Sequence, residues 1–327
     1  MSAKQAGIKG LGIYLPDRIL TNFDLEKMVE TSDEWIRTRT GVRERRIAEP
    51  GECSSDLGSR AALAAIQDAK LTPKDIHLII VATITPDMFF PSTACMIQQK
   101  IGAECPAFDI AAACSGFPYA LAVAEGFIRS GMYRNILVVG AEVLSGFIDW
   151  KDRSTCVLFG DGAGAAVVSE AKDGHGIRAT YLGADGTQGE LLRIPGGGSK
   201  IPPSEESVKS GQHFLKMQGS EIFKLAVRKM EEAIMEVLSR GGLKPKDVDC
   251  LIPHQANLRI LQAVGERVQI PLEKVFVNVE RYGNMSSAST VIALYEAVKQ
   301  GKIKEGSNVV LVAFGGGITW ASCLVKW

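Results

Sequence analysis

Two stretches decide the fold: LTPKDIHLII at residues 71–80 and LKPKDVDCLI at residues 243–252, set 172 residues apart. Each reads as a helix end, a proline-bearing loop and a buried strand. Two further echoes keep nearly the same offset. Cys114 precedes Gly131 by 17 residues, as Asn284 precedes Gly301, and each interval has a helical pattern, Phe117 to Ser130 and Ser287 to Gln300. After these helices come NILVVG (135–140) and NVVLVAFG (308–315). Three segments sharing offsets of 170 to 173 residues mark a duplicated chain, with halves at 1–172 and 173–327. Apolar runs such as LIIVATI (78–84) fit central strands covered on both faces. Alternating helices then predict layered, mixed but largely parallel α/β sheets, the halves packed about a pseudo-twofold axis. The Gly-, Pro- and Ser-rich stretch 184–215 reads as a long surface excursion.

The totals exclude several functions. The chain has 327 residues, 46% of them hydrophobic, with 37 basic and 37 acidic side chains. No global field draws it to nucleic acid or an anionic membrane. No signal peptide and no apolar run of about 18 residues is present, so a soluble, cytoplasmic protein is expected. The seven cysteines are odd in number and form no CxxC pair. That speaks against a disulfide framework or a structural zinc site, and no metal is expected.

The repeat gives Cys114, in AAACSGF (111–117), and Asn284, in RYGNMSSAS, equivalent places just ahead of a helix. A helix N-terminus favours thiolate and offers free N–H groups, so Cys114 is a candidate nucleophile for acyl transfer. A small residue allowing tight packing would fit the same place. Asn284 could equally be a turn residue or a cap. Of the four histidines, His254 in LIPHQANLRI follows an apolar strand, where α/β folds place ligands. Gly315-Gly316-Gly317 is either a bulge or a stretch where backbone N–H groups approach a ligand. FGDGAGA (159–165) lacks GK[ST] and reads as a packing turn.

With these residues in hand, the chain resembles the β-ketoacyl-acyl carrier protein synthase III family. The likeness rests on Cys114, His254 and Asn284 in their motifs, with TSDEWIRTRTGVRERRIA (31–48), FPSTAC (90–95), DRSTCVLFGDGAGAAVV (152–168) and FGGGITW (314–320). It runs from about residue 8 to the C-terminus. It implies the thiolase fold: duplicated βαβαβαββ halves in five α-β-α-β-α layers, usually a homodimer. It implies that Cys114 takes acetyl from acetyl-CoA. Malonyl-acyl carrier protein then loses carbon dioxide and attacks, giving acetoacetyl-acyl carrier protein. His254 and Asn284 would hold the enolate oxygen, and the N–H groups of Cys114 and Gly316 the tetrahedral oxyanions. No cofactor is implied, since the CoA thioester is a substrate.

By the same resemblance, Trp35 stacks on adenine beside Arg153, Arg39 meets CoA phosphate, Asn257 touches pantetheine and Phe90 closes the acyl pocket at the dimer interface. Arg259, Lys224 and Arg228 would meet the carrier protein. Met285, Ser220 and Glu266 depart from the family's usual wording, which leaves pantetheine contacts and docking footprint open. A thiolase would need a second cysteine among Gly315-Gly316-Gly317. An elongating synthase would need a second histidine at Asn284. A type III polyketide synthase shares the triad but not the Trp35 segment. A non-catalytic acyl-binding homologue would not need the intact triad.

Overall fold

The computed structural model describes residues 5–327. One sheet orders its strands Ala6–Tyr14, Gly162–Glu170, Asn135–Glu142, Leu78–Ala82, Ala107–Ile110. The other orders Cys250–Pro253, Asn308–Gly315, Thr319–Lys326, Gly176–Ala184. A fifth strand of the second sheet shrinks to a single parallel bridge, Leu251 to Val275. The sheets follow one plan, as the repeat requires.

They are less parallel than the apolar runs suggest. Leu78–Ala82 pairs parallel with both neighbours, and Cys250–Pro253 with one. The remaining pairs are antiparallel. The reason is connection length in the second half. Asn308–Gly315 returns as Thr319–Lys326 after a short turn, whereas a parallel return needs a crossover of about a dozen residues or more.

Five layers result. The helices Gly116–Arg129 and Ser287–Lys299 lie between the sheets, with Phe117, Leu121, Val291 and Leu294 packed on Ile80 and Ile252. Helices Ser54–Asp68 and Thr93–Ile101 cover the outer face of the first sheet. Helices Gly219–Arg240 and Leu258–Arg267 cover that of the second. Alternation within one strand explains the continuous apolar runs. Leu78 and Ile80 face the central helices, while Ile79 and Val81 face the outer ones. No helix among the described residues is long and apolar enough to cross a membrane.

Two excursions wall the site. In the first, Ile19–Thr21 pairs with Glu44–Arg46 and encloses the helix Asp33–Thr40. Ser32 Oγ caps that helix by accepting from the Trp35 N–H, and Gly41 ends it at φ 80°. Arg45 fastens the excursion. Fully buried, it donates to Leu20 O, to Asn22 Oδ1 and to Val157 O, 2.8 Å away. Burial pulls its guanidinium down to about 10, so it stays charged at neutral pH. The second excursion, 184–215, is more than surface. Leu192–Arg193 pairs with Lys216–Met217, and the Leu215 N–H donates to Phe147 O at 2.9 Å.

Arg45→Met would strand three buried acceptors. A loss of about 2–4 kcal/mol is expected, read as a lower midpoint in urea. An unchanged midpoint would show that the arginine does not hold the excursion.

Candidate active site

The nucleophile turn is built by constrained backbone. After the strand Ala107–Ile110, a 3-10 turn Ala113–Ser115 leads into the helix at Gly116. Ala113 adopts φ 46°, a left-handed conformation that costs a residue with a Cβ about 1 kcal/mol or more. Gly283 adopts φ 65° in the matching place before Asn284. Such strain persists only where the surroundings enforce it, and here the other half does so. Ser115 Oγ donates to Thr319 O at 3.0 Å, and Thr319 Oγ1 donates to Ala112 O at 2.9 Å. This reciprocal clamp brings the glycine loop against the turn. A Cβ on Gly315 would stand 2.6 Å from the Cys114 nitrogen, so only glycine fits. Neither the Cys114 nor the Gly316 N–H takes part in a turn or loop backbone hydrogen bond among the described residues.

Asn284 is held by three backbone contacts. Its N–H donates to Leu158 O, its carbonyl accepts from Gly160, and its Oδ1 accepts from the Ser286 N–H at 2.8 Å. The last bond orients the amide, with its oxygen on the Ser286 N–H and its NH2 left to offer the cavity. Ser286 reaches this position at φ 45°, again in the left-handed region. His254 is tethered by its N–H to Val312 O at 2.7 Å, and its Nδ1 has no partner. Gln255 beside it is a structural latch. Its amide bonds Pro253 O and Phe276 O and accepts from the N–H groups of Asn278 and Val279.

Protonation departs from the helix-terminus expectation. Burial pushes the Cys114 thiol up to about 12. Burial also pushes His254 down to about 3. Burial works against the half-charge of the helix end and favours a resting thiol and a neutral imidazole. Neutral imidazole can donate one N–H without titrating near neutrality.

Cys114, His254 and Asn284 line one cavity of about 490 Å³, together with Trp35, Arg39, Asn257, Lys224 and Arg259. Arg39 and Arg153 both stack on Trp35, with guanidinium carbons 5.6 Å and 4.9 Å from the ring centre. No planar ring fits between Trp35 and Arg153 at that spacing, so a base stacking there must displace the arginine. Arg153 itself does not line the cavity. Asn257 does, while its Oδ1 caps the next helix by accepting from the Ile260 N–H. Lys224 pairs with Glu221, and Arg259 lies over Phe223. Arg228 is exposed on the same helix as Lys224 but stands outside the cavity.

A second cavity of about 280 Å³ opens on the other side of Cys114, walled by Ile84, Leu144, Phe159, Leu192 and Leu215. Phe90 lies outside both cavities of its own chain and is 84% exposed, beside Phe89 at 79%. Sequence reasoning missed Leu192 and Leu215 as wall residues, because they fall in the excursion, and Met217, which follows directly after it. It also missed Thr319 and Ser286, which act through backbone geometry.

Sequence profiles described as 3-oxoacyl-[acyl-carrier-protein (ACP)] synthase III match residues 108–186, and those of its C-terminal region match 238–327. The beta-ketoacyl-[acyl-carrier-protein] synthase III of Caldanaerobacter subterraneus is 58% identical, with 98% of each chain covered. That of Clostridioides difficile is 53% identical, covering 99% of this chain and 98% of its own. The crystal structure of 3-oxoacyl-[acyl-carrier-protein] synthase III from Aquifex aeolicus superposes with a TM-score of 0.92 at 51% identity, covering 98% of this chain and all of that one.

Two outcomes are expected from this geometry. Alkylation of Cys114 by iodoacetamide should rise about tenfold per pH unit up to about pH 10, because a raised thiol pKa lets thiolate accumulate only as pH climbs toward it. A plateau near pH 7 would contradict it. Gly315→Ala should slow thioester attack about 10²-fold, by moving the Cys114 backbone, with the circular dichroism spectrum unchanged. A rate equal to the parent's would refute the close approach.

Proposed function

Because the chain belongs to the 3-oxoacyl-[acyl-carrier-protein] synthase III family, we propose that it condenses acetyl-CoA with malonyl-acyl carrier protein at Cys114, initiating fatty acid synthesis. One observation carries the residue roles: the sulfur, the imidazole and the carboxamide line one buried cavity whose wall includes Trp35 and Arg39.

The sulfur attacks the acetyl thioester carbonyl. The resulting oxyanion sits on the N–H groups of Cys114 and Gly316. When it collapses, the C–S bond to CoA breaks, and the thiol proton leaves with the CoA sulfur. Thiol deprotonation accompanies attack, since neither a resting thiolate nor a strong resting base is present. The acetyl group points into the cavity of about 280 Å³. Malonyl-acyl carrier protein then occupies the first cavity. Its C–CO2 bond breaks, carbon dioxide departs, and the electron pair passes to the thioester as an enolate. His254 Nε2–H and Asn284 Nδ2–H donate to that oxygen. Neither group titrates near neutrality, so neither quenches the carbanion. The carbanion attacks the acetyl carbon, the Cys114–acyl bond breaks, the thiolate released takes up one proton from solvent to restore the resting thiol, and acetoacetyl-acyl carrier protein leaves.

The half 1–172 supplies the nucleophile, and the half 173–327 the pair that polarises malonyl. Arg39 and Arg153 meet CoA at Trp35, with Asn257 on pantetheine, and Arg259, Lys224 and Arg228 receive the acidic carrier. A cytoplasmic homodimer fits the exposed Phe90, which would enter the partner's acyl pocket.

Mass spectrometry after incubation with acetyl-CoA should show one acetyl adduct on Cys114, absent in Cys114→Ala. An adduct elsewhere would defeat the reading. In Asn284→Ala, self-acetylation should persist while condensation falls about 10²-fold or more; loss of acetylation would mean the roles are wrong.

A further inference from the structure

Glu142 ends the strand Asn135–Glu142 and is wholly buried beside the nucleophile, yet the reaction above makes no use of it. Its hydrogen bonds can be counted by proton. Oε2 accepts from the Ile84 N–H at 3.1 Å and from two hydroxyls, Thr85 at 2.7 Å and Thr83 at 3.2 Å. Those hydroxyls are free to donate there, because each accepts from a backbone N–H elsewhere: Thr85 from Val143, Thr83 from Thr85.

Oε1 is different. It accepts a long bond from the Ser287 N–H at 3.4 Å and stands 2.8 Å from Ser287 Oγ, and Ser287 Oγ stands 2.7 Å from Ala82 O. Each of these short oxygen–oxygen contacts needs a hydrogen between its atoms. A hydroxyl has one hydrogen, and a carbonyl has none. The serine hydrogen therefore goes to Ala82 O, and the hydrogen in the other contact comes from Glu142. No cation is among the groups that bond it. Burial, which raises this carboxyl, acts in the same direction.

We propose that Glu142 is a neutral carboxylic acid in the resting enzyme, and that it is a positioning residue whose O–H···Ser287···Ala82 chain joins the first sheet to the helix Ser287–Lys299. The link fixes the turn that aims Asn284. The Ser286 hydroxyl lies beside both the Cys114 sulfur and Glu142, fully buried and without a well-aligned partner. The titratable groups facing the sulfur are thus Glu142 and, across the cavity, His254. A neutral Glu142 removes the one fixed negative charge that would oppose a thiolate, an incoming malonyl carboxylate and an enolate in this pocket. That consequence rests on the condensation proposed above; the protonation state does not.

Glu142→Gln copies the charge of the neutral acid and most of its bonds: its NH2 can donate to Ser287 Oγ and its carbonyl can accept from Ile84, Thr85 and Thr83, with only the long bond from the Ser287 N–H lost. Infrared difference spectra at neutral pH, parent minus Glu142→Gln, should show a protonated-carboxyl C=O band. A carboxylate band in its place would overturn the proposal. Alkylation of Cys114 at fixed pH should agree within about twofold between the two, whereas a rise of about tenfold in the variant would mean a charge had been removed. Condensation should survive in Glu142→Gln and fall about 10²-fold in kcat, with little change in KM, in Glu142→Ala. Equal loss in both variants would overturn the positioning role. Should Glu142→Gln not fold, the parent labelled with carbon-13 at glutamate carboxyls must show a protonated signal at neutral pH; all signals ionised would refute it.

Discussion

The reciprocal clamp between Ser115 and Thr319 is the constraint on which the site depends. Two hydrogen bonds of 3.0 Å and 2.9 Å, each worth only about 1 kcal/mol, join the nucleophile turn of one half to the glycine loop of the other. Together with the close approach of Gly315 to the Cys114 nitrogen, they hold Ala113 in its left-handed backbone and set the Cys114 turn against the glycine loop. The clamp is affordable because the bulk of the stability lies elsewhere, in the five packed layers. The central helices alone bury Phe117, Leu121, Val291 and Leu294 against both sheets.

Duplication explains why the parts converge. A pseudo-twofold arrangement carries the starts of two equivalent helices toward the middle of the molecule. One start bears a thiol and the other a carboxamide. Asn284 keeps its place through Leu158 and Gly160, residues of the first half, so each half completes the other's turn. The surrounding burial then sets the protonation. It holds Cys114 as thiol and His254 as neutral imidazole, so charge appears only when substrate brings it. This suits a reaction whose hardest species is a carbanion, which an acid aimed at it would protonate; the Glu142 proton proposed above is directed at Ser287 Oγ instead.

The duplication, the central strands and the three side chains that meet in one cavity, Cys114, His254 and Asn284, were legible in the sequence, because each leaves a local mark. Apolar runs mark strands buried on both faces, and a fixed offset marks the repeat. The antiparallel returns were not legible, since a short apolar strand looks alike in either direction. The lowered thiol pKa expected of Cys114 was overturned for a related reason: a helix end is visible in sequence, but the depth of burial opposing it is not. Ser286, Thr319 and Glu142 act through contacts spanning up to 207 residues, which no single-sequence pattern records. Leu192 and Leu215 were hidden inside a stretch whose glycines and prolines describe a loop, not a wall.

The most direct test is a crystal structure of the acetylated enzyme. The account predicts an acetyl group on the Cys114 sulfur with its oxygen about 2.7–3.1 Å from the N–H groups of both Cys114 and Gly316. It also predicts the methyl in the cavity beside Leu144 and Leu215, with the imidazole and carboxamide left free on the other side. An acetyl oxygen turned toward His254 and Asn284, away from the two backbone donors, would contradict it.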